Sequence, residues 1–143
     1  MDNSCQQYNL NQLFAPYDPQ RPTAYARIRG GKLAPCIDGN VFFYQLEGGV
    51  YIKAYLTGIP DSNQNGQLTR FHGFHIHENG DCQVGTEDNP FPNTGSHFNP
   101  SEEKHPFHAG DLPPILASDG IGILSVYTSY FTVADIINKS VVL

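Results

Sequence analysis

The run Val50-Tyr51-Ile52-Lys53-Ala54-Tyr55-Leu56-Thr57 alternates with a period of two. Val50, Ile52, Ala54 and Leu56 point one way, and Tyr51, Lys53, Tyr55 and Thr57 the other, the pattern of a half-buried antiparallel strand. Before it stands Val41-Phe42-Phe43-Tyr44-Gln45-Leu46, joined through Glu47-Gly48-Gly49, so the two runs read as a hairpin. Working outward, Ala24 to Arg29 predicts a first strand ended by Gly30-Gly31, and Phe71 to Glu78 another, after the turn-rich stretch Pro60 to Gly66. Short strands return near Asp111–Leu116, Gly122–Thr128 and Lys139–Leu143, and Ala134 to Ile137 predicts one helical turn. Many short strands with regular turn signals predict an all-β sandwich or barrel.

Composition agrees. The 143 residues suit one domain, and 14 Gly with 11 Pro punctuate the chain too often for a bundle of long helices. Tyr (8) and Phe (9) supply core material. Residues 1–22 are polar, rich in Asn and Gln, and read as an N-terminal arm anchored through Leu13, Phe14 and Tyr17. Residues 23–143 then form the β-sandwich domain. The net charge of −6 leaves no basic face for nucleic acid or for a membrane surface. No apolar run is long enough for a membrane-spanning helix. The first residues lack the features of a secretory signal, which makes a cytoplasmic setting the default expectation. Three cysteines (Cys5, Cys36, Cys82) allow at most one internal disulfide.

All six histidines lie between residues 72 and 108. His75-Ile76-His77 sits on a predicted strand, where residues two apart share a face with side-chain origins roughly 6–7 Å apart. Two imidazoles at that spacing converge on one ion, while Phe74 and Ile76 face the core. His105-Pro106-Phe107-His108-Ala109-Gly110-Asp111 offers three ligands at spacing three and three, a set of nitrogens and oxygen that suits zinc. His97, in Gly95-Ser96-His97-Phe98-Asn99-Pro100, lies between the two groups and completes either, or serves both through its two ring nitrogens. Residues 79–110 show almost no periodicity, and a loop of that length in a compact domain is usually functional.

These residues resemble those of the copper/zinc superoxide dismutases. Phe71-His72-Gly73-Phe74-His75-Ile76-His77-Glu78 is similar to the family's signature strand. Gly95 to Pro100 is similar to its bridging-histidine segment, and His105, His108 and Ala109-Gly110-Asp111-Leu112-Pro113 to its zinc loop. The likeness runs from about Ala24 to Leu143. It implies an eight-stranded Greek-key β-barrel, copper bound by His75, His77 and His97, and zinc bound by His97, His105, His108 and Asp111. It implies disproportionation of superoxide to oxygen and hydrogen peroxide, with His97 as the catalytic proton carrier between the two metals. His72 matches a position that supports the copper strand without ligating metal. The short interval from His105 to His108 implies a trimmed zinc loop.

The resemblance is incomplete. In the family, the strand matching Ser140 to Leu143 runs directly into a fourth copper histidine, and no histidine follows His108 here. The arginine that holds superoxide is absent, since the last arginine is Arg70. The late cysteine that pairs with the one matching Cys82 is missing, as is the closing strand. Seven acids between Glu78 and Asp111 face a single base, Lys104, which opposes attraction of an anion. The expectation is therefore a dismutase-type barrel lacking its last strand, read as a fragment of a longer enzyme or a naturally shortened member, with impaired turnover and with self-association through an open sheet edge. The alternative is a zinc-bound, copper-binding protein without turnover. A zinc hydrolase built on His75, His77 and His97, with Glu78 as base, ranks third, because it leaves His105, His108 and Asp111 without a purpose.

Overall fold

A computed structural model describes residues 17–64 and 67–143; for Asn63 and Gln64 the description is of the backbone alone. The chain order is β1 (Ala24–Arg29), β2 (Asp38–Leu46), β3 (Gly49–Thr57), β4 (Ser62–Gln64), β5 (Gln67–Thr69), β6 (Phe71–His77), β7 (Asp111–Ser118), β8 (Ile121–Thr128), the 3₁₀ turn η1 (Val133–Ile136) and β9 (Ser140–Val142). Seven strands form one antiparallel sheet in the order β1-β2-β3-β8-β7-β6-β9, which curls into a nearly closed barrel. The chain jumps from β3 to β6 and back to β8, the Greek-key crossing that the family resemblance implies.

The alternation in β3 sets the core. Val50, Ile52 and Ala54 are fully buried and Leu56 nearly so, against Val41 and Phe43 of β2 and Phe74 and Ile76 of β6. Burying a side chain of this size contributes about 1.5–3 kcal/mol, so this layer outweighs any single polar contact at the surface. Residues 38–57 pair in the β2–β3 hairpin through a two-residue turn, and β2 begins at Asp38, three residues before the apolar run. The stretch Pro60 to Gly66, read as turns, contains the start of a small hairpin, β4–β5. Its strands are polar and short, so no alternation marks them.

The N-terminal arm falls largely outside the described residues, including Leu13, Phe14 and Cys5. Tyr17 packs edge-on against Tyr44 and Tyr51, with ring centroids 4.9 and 5.2 Å away. Cys36 and Cys82 are exposed and unbridged. Among the described residues no helix is long and apolar enough to cross a membrane. The two sheet edges, β1 and β9, approach each other without forming a ladder. Between them lies a cavity of about 410 Å³, lined by Ile28, Leu33, Ile37, Cys82, Phe91 and Leu143 among others.

Candidate metal centre

The histidines converge at one end of the barrel because three backbone segments are bonded in a cycle. The Ile76 amide donates to the Gly110 carbonyl (2.9 Å), the Gly110 amide to the Phe98 carbonyl (2.8 Å), and the Phe98 amide to the Ile76 carbonyl (2.8 Å). Ile76 lies between His75 and His77, Phe98 follows His97, and Gly110 precedes Asp111. Each corner of the triangle thus fixes a residue bearing an imidazole or a carboxylate. A Cβ on Gly110 would stand 2.4 Å from the Ile76 carbonyl oxygen, so only glycine permits the closure.

Strand register does the rest. His75 lies directly opposite Asp111 in the β6–β7 ladder, His77 opposite Ser140 of β9, and His77 and His97 form an isolated bridge. A register shift between His72 and Phe74 bends β6 just before the paired histidines. Gly73 sits in that shift, and a Cβ there would come within 2.9 Å of the His75 Nε2. His72 stands apart from the cluster's ring contacts. Its Nε2 is buried without a hydrogen-bond partner, so the strand-supporting position is not a satisfied one.

Asp111 is the hub. Its side chain is only 4% exposed. Its Oδ1 lies 3.1 Å from His75 Nδ1 and 2.7 Å from His97 Nδ1, and its Oδ2 lies 3.1 Å from His105 Nδ1 and 3.0 Å from His108 Nδ1. The His108 amide also donates to Oδ2. Burial pushes the Asp111 carboxyl up, but the His108 amide, the His97 ring and the neighbouring imidazoles outweigh it and hold the carboxyl below its ordinary value. Burial, more than the carboxylate's attraction, holds His75 and His97 below the usual imidazole range. Both therefore favour the neutral form, the form that ligates metal.

The ligand atoms of His97, His105, His108 and Asp111 all lie within 4.8 Å of one another. Three nitrogens and one carboxylate oxygen at that separation are the donor set and size of a four-coordinate zinc site. His105 is the exposed member, at 57%. On the other side, the His97 ring stacks on His75 with centroids 4.1 Å apart and meets His77 edge-on at 4.9 Å. The His77 Nδ1 donates to the Gly95 carbonyl at 2.9 Å. A carbonyl only accepts, so Nδ1 carries the proton and Nε2 keeps the free lone pair. His97 has its Nδ1 toward Asp111, and its ring faces His75 and His77.

Every histidine and carboxylate singled out from the sequence as a ligand is thus in one cluster. Glu78 is not: its carboxylate accepts from the Ser96 amide at 3.1 Å and buttresses Gly95. A hydrolase reading that needs Glu78 as a free base is disfavoured by that bond. Sequence reasoning passed over the Gly95 carbonyl that orients His77, and Lys139, which reaches into the same corner from β9. Both depend on long-range contacts that no local pattern announces.

Comparisons with known proteins agree with this architecture. The model of the family described as "Copper/zinc superoxide dismutase (SODC)" matches residues 37–143. The extracellular superoxide dismutase [Cu-Zn] of Mus musculus is 38% identical over 88 residues, covering 60% of this chain and 32% of that protein. Superoxide dismutase [Cu-Zn] 2 of Mesembryanthemum crystallinum is 37% identical over 98 residues, covering 63% of this chain and 54% of its own. Superoxide dismutase [Cu-Zn] 2 of Aquifex aeolicus is 36% identical over 87 residues, covering 57% and 44%. The match spans about a third to a half of the length of these relatives. With more than half of its residues inside the family match, and with the barrel and the histidine cluster in the family's order, the chain belongs to the copper/zinc superoxide dismutase family.

Proposed function

We propose that this chain is a superoxide dismutase domain, in which two superoxide anions and two protons become oxygen and hydrogen peroxide. Copper would be held by His75, His77 and His97, and zinc by His97, His105, His108 and Asp111. The observation that carries this is the double engagement of His97: its Nδ1 is 2.7 Å from Asp111 while its ring stacks on His75 and abuts His77. When bound, copper supplies the one-electron redox couple and zinc a fixed positive anchor. When its Nε2 is released from copper, His97 would hold a proton there and pass it toward the peroxide product. Asp111 keeps the His97 ring oriented, and the Gly95 carbonyl fixes the tautomer of His77.

Turnover is expected to be slow in this chain. The loops around the centre are acidic, which opposes the approach of an anion. The test is superoxide consumption by protein loaded with one zinc and one copper, beside His97→Ala. Consumption that His97→Ala abolishes is the expected result. Zinc and copper both bound with no consumption would favour the second reading, a copper-binding protein without turnover. That reading draws support from the zinc-type set being complete while the copper-type set has three nitrogens.

Two further parts belong to the same proposal. The facing edges of β1 and β9 invite pairing with a second copy, so sedimentation should reveal association, and a monodisperse monomer would contradict it. Cytoplasmic residence accords with the unbridged Cys36 and Cys82, which a reducing compartment maintains.

A further inference from the structure

We propose that Lys139 is a positioning residue for the copper side of the centre, clamping together the two segments that carry His77 and His97. The inference rests on the dismutase reading for the identity of the metal. The Lys139 ammonium donates to the Glu78 carbonyl at 3.3 Å and stands 4.5 Å from the centroid of the Phe98 ring. Glu78 directly follows His77, and Phe98 directly follows His97. Lys139 itself directly precedes Ser140, which lies opposite His77 in the β9–β6 ladder. One side chain at the start of β9 therefore touches the neighbours of both imidazoles and draws them toward each other.

A carbonyl oxygen and an aromatic face both attract an ammonium group, and here one ammonium meets both at the surface. Phe98 in turn packs edge-on against Phe131 at 6.5 Å, so the clamp closes on a ring already held by the core. The zinc-type residues His105, His108 and Asp111 have their own tether in the Asp111 hub and the Gly110 amide. The clamp thus acts on His77, which belongs to the copper side alone, and on His97, whose Nδ1 keeps its own tie to Asp111 on the zinc side. A free cation beside an anion-consuming site would instead attract substrate. Here the ammonium is already engaged by a carbonyl and a ring, which fits a clamp better than a free guide.

The experiment uses the full chain loaded with zinc and copper, as wild type, Lys139→Met and Lys139→Arg. Copper and zinc affinities are measured by competition with a chromophoric chelator, and the Cu(II) site by electron paramagnetic resonance. Lys139→Met is expected to weaken copper about tenfold, equivalent to about 1.4 kcal/mol, and to change the copper hyperfine splitting, with zinc affinity within about twofold. Lys139→Arg is expected to restore both copper readouts. Unchanged copper affinity and spectrum overturn the proposal, as does parallel weakening of both metals, the mark of general loosening. Should Lys139→Met fold poorly, Phe98→Leu removes the ring face while keeping an apolar side chain against Phe131. Selective loss of copper affinity supports the clamp, and its absence overturns it. None of these readouts needs turnover, so a chain that consumes no superoxide still decides the matter.

Discussion

Gly73 shows how one missing side chain sets the geometry of a ligand. Its absent Cβ leaves room for the His75 ring, whose Nε2 would otherwise be 2.9 Å away. The obstructed atom is the far end of a side chain, so Gly73→Ala should displace the ring and not unfold the strand. We expect copper affinity to fall about tenfold with zinc affinity retained, by the scale of a perturbed ligand orientation. A competition titration with both metals checks this. Asp135 illustrates a different use of charge. Its carboxylate accepts from the Thr132 amide and hydroxyl, both at 2.7 Å, and these bonds hold its pKa below the usual carboxylate value. A depressed folded pKa contributes stability that is fully present above the ordinary value of 3.8 and is lost as pH falls through the folded pKa. Urea midpoints should therefore drop on acidification below about pH 4 less steeply in Asp135→Asn than in wild type. The pairing of His75 with His77 was legible at this scale, since a strand's period of two needs no partner to be read. The orientation of each ring was not, because it depends on Gly95 and Asp111, remote in sequence.

At the scale of elements, the decisive feature is the cycle of amides joining Ile76, Phe98 and Gly110. Three segments far apart in the chain meet there with all three bonds internal. Gly110→Ala would drive a Cβ against a backbone oxygen, which cannot swing aside as an imidazole can. We expect a loss of roughly 2–4 kcal/mol in folding stability from the strained closure and broken bonds, with both metals weakened together. Denaturant titration and metal analysis would show the contrast with Gly73→Ala, and a stable variant with normal metal content would contradict it. The alternating strands were readable because each buries a full row of apolar side chains. Asp38 to Asn40 escaped notice as part of β2 since Asp-Gly-Asn resembles a turn, yet the partner strand carries the ladder through it. The β4–β5 hairpin escaped for the same reason: pairing, and not burial, defines it.

For the whole molecule, the barrel and the centre are coupled thermodynamically. Four imidazoles aimed at one largely buried carboxylate form a site that is fully assembled only in the native state. Metal binding at about a thousandfold excess over its dissociation constant adds about 4 kcal/mol of stability. Chelation should accordingly lower the melting temperature by about 10 °C for a domain of this size. A melting temperature indifferent to chelator would show that the cluster holds no metal. The order of strands was legible only through the resemblance of the histidine motifs, because the alternation of β3 says which face is buried and not which strand lies beside it. The pairing of β3 with β8, and of β6 with β9, is a long-range choice made by packing.

The closed ring of amides has one more consequence, for the engineer. Glu78 and Ser96 are tied amide to carbonyl at 3.0 Å, and Asn79 to Thr94 at 2.9 Å, so the excursion between them leaves and rejoins the barrel at a single stapled doorway. Residues 80–93 run from that doorway to the seam between β1 and β9, where Cys82 and Phe91 line the cavity beside Leu143. A foreign peptide grafted there would disturb that seam first, while the staples keep the imidazoles where the frame put them.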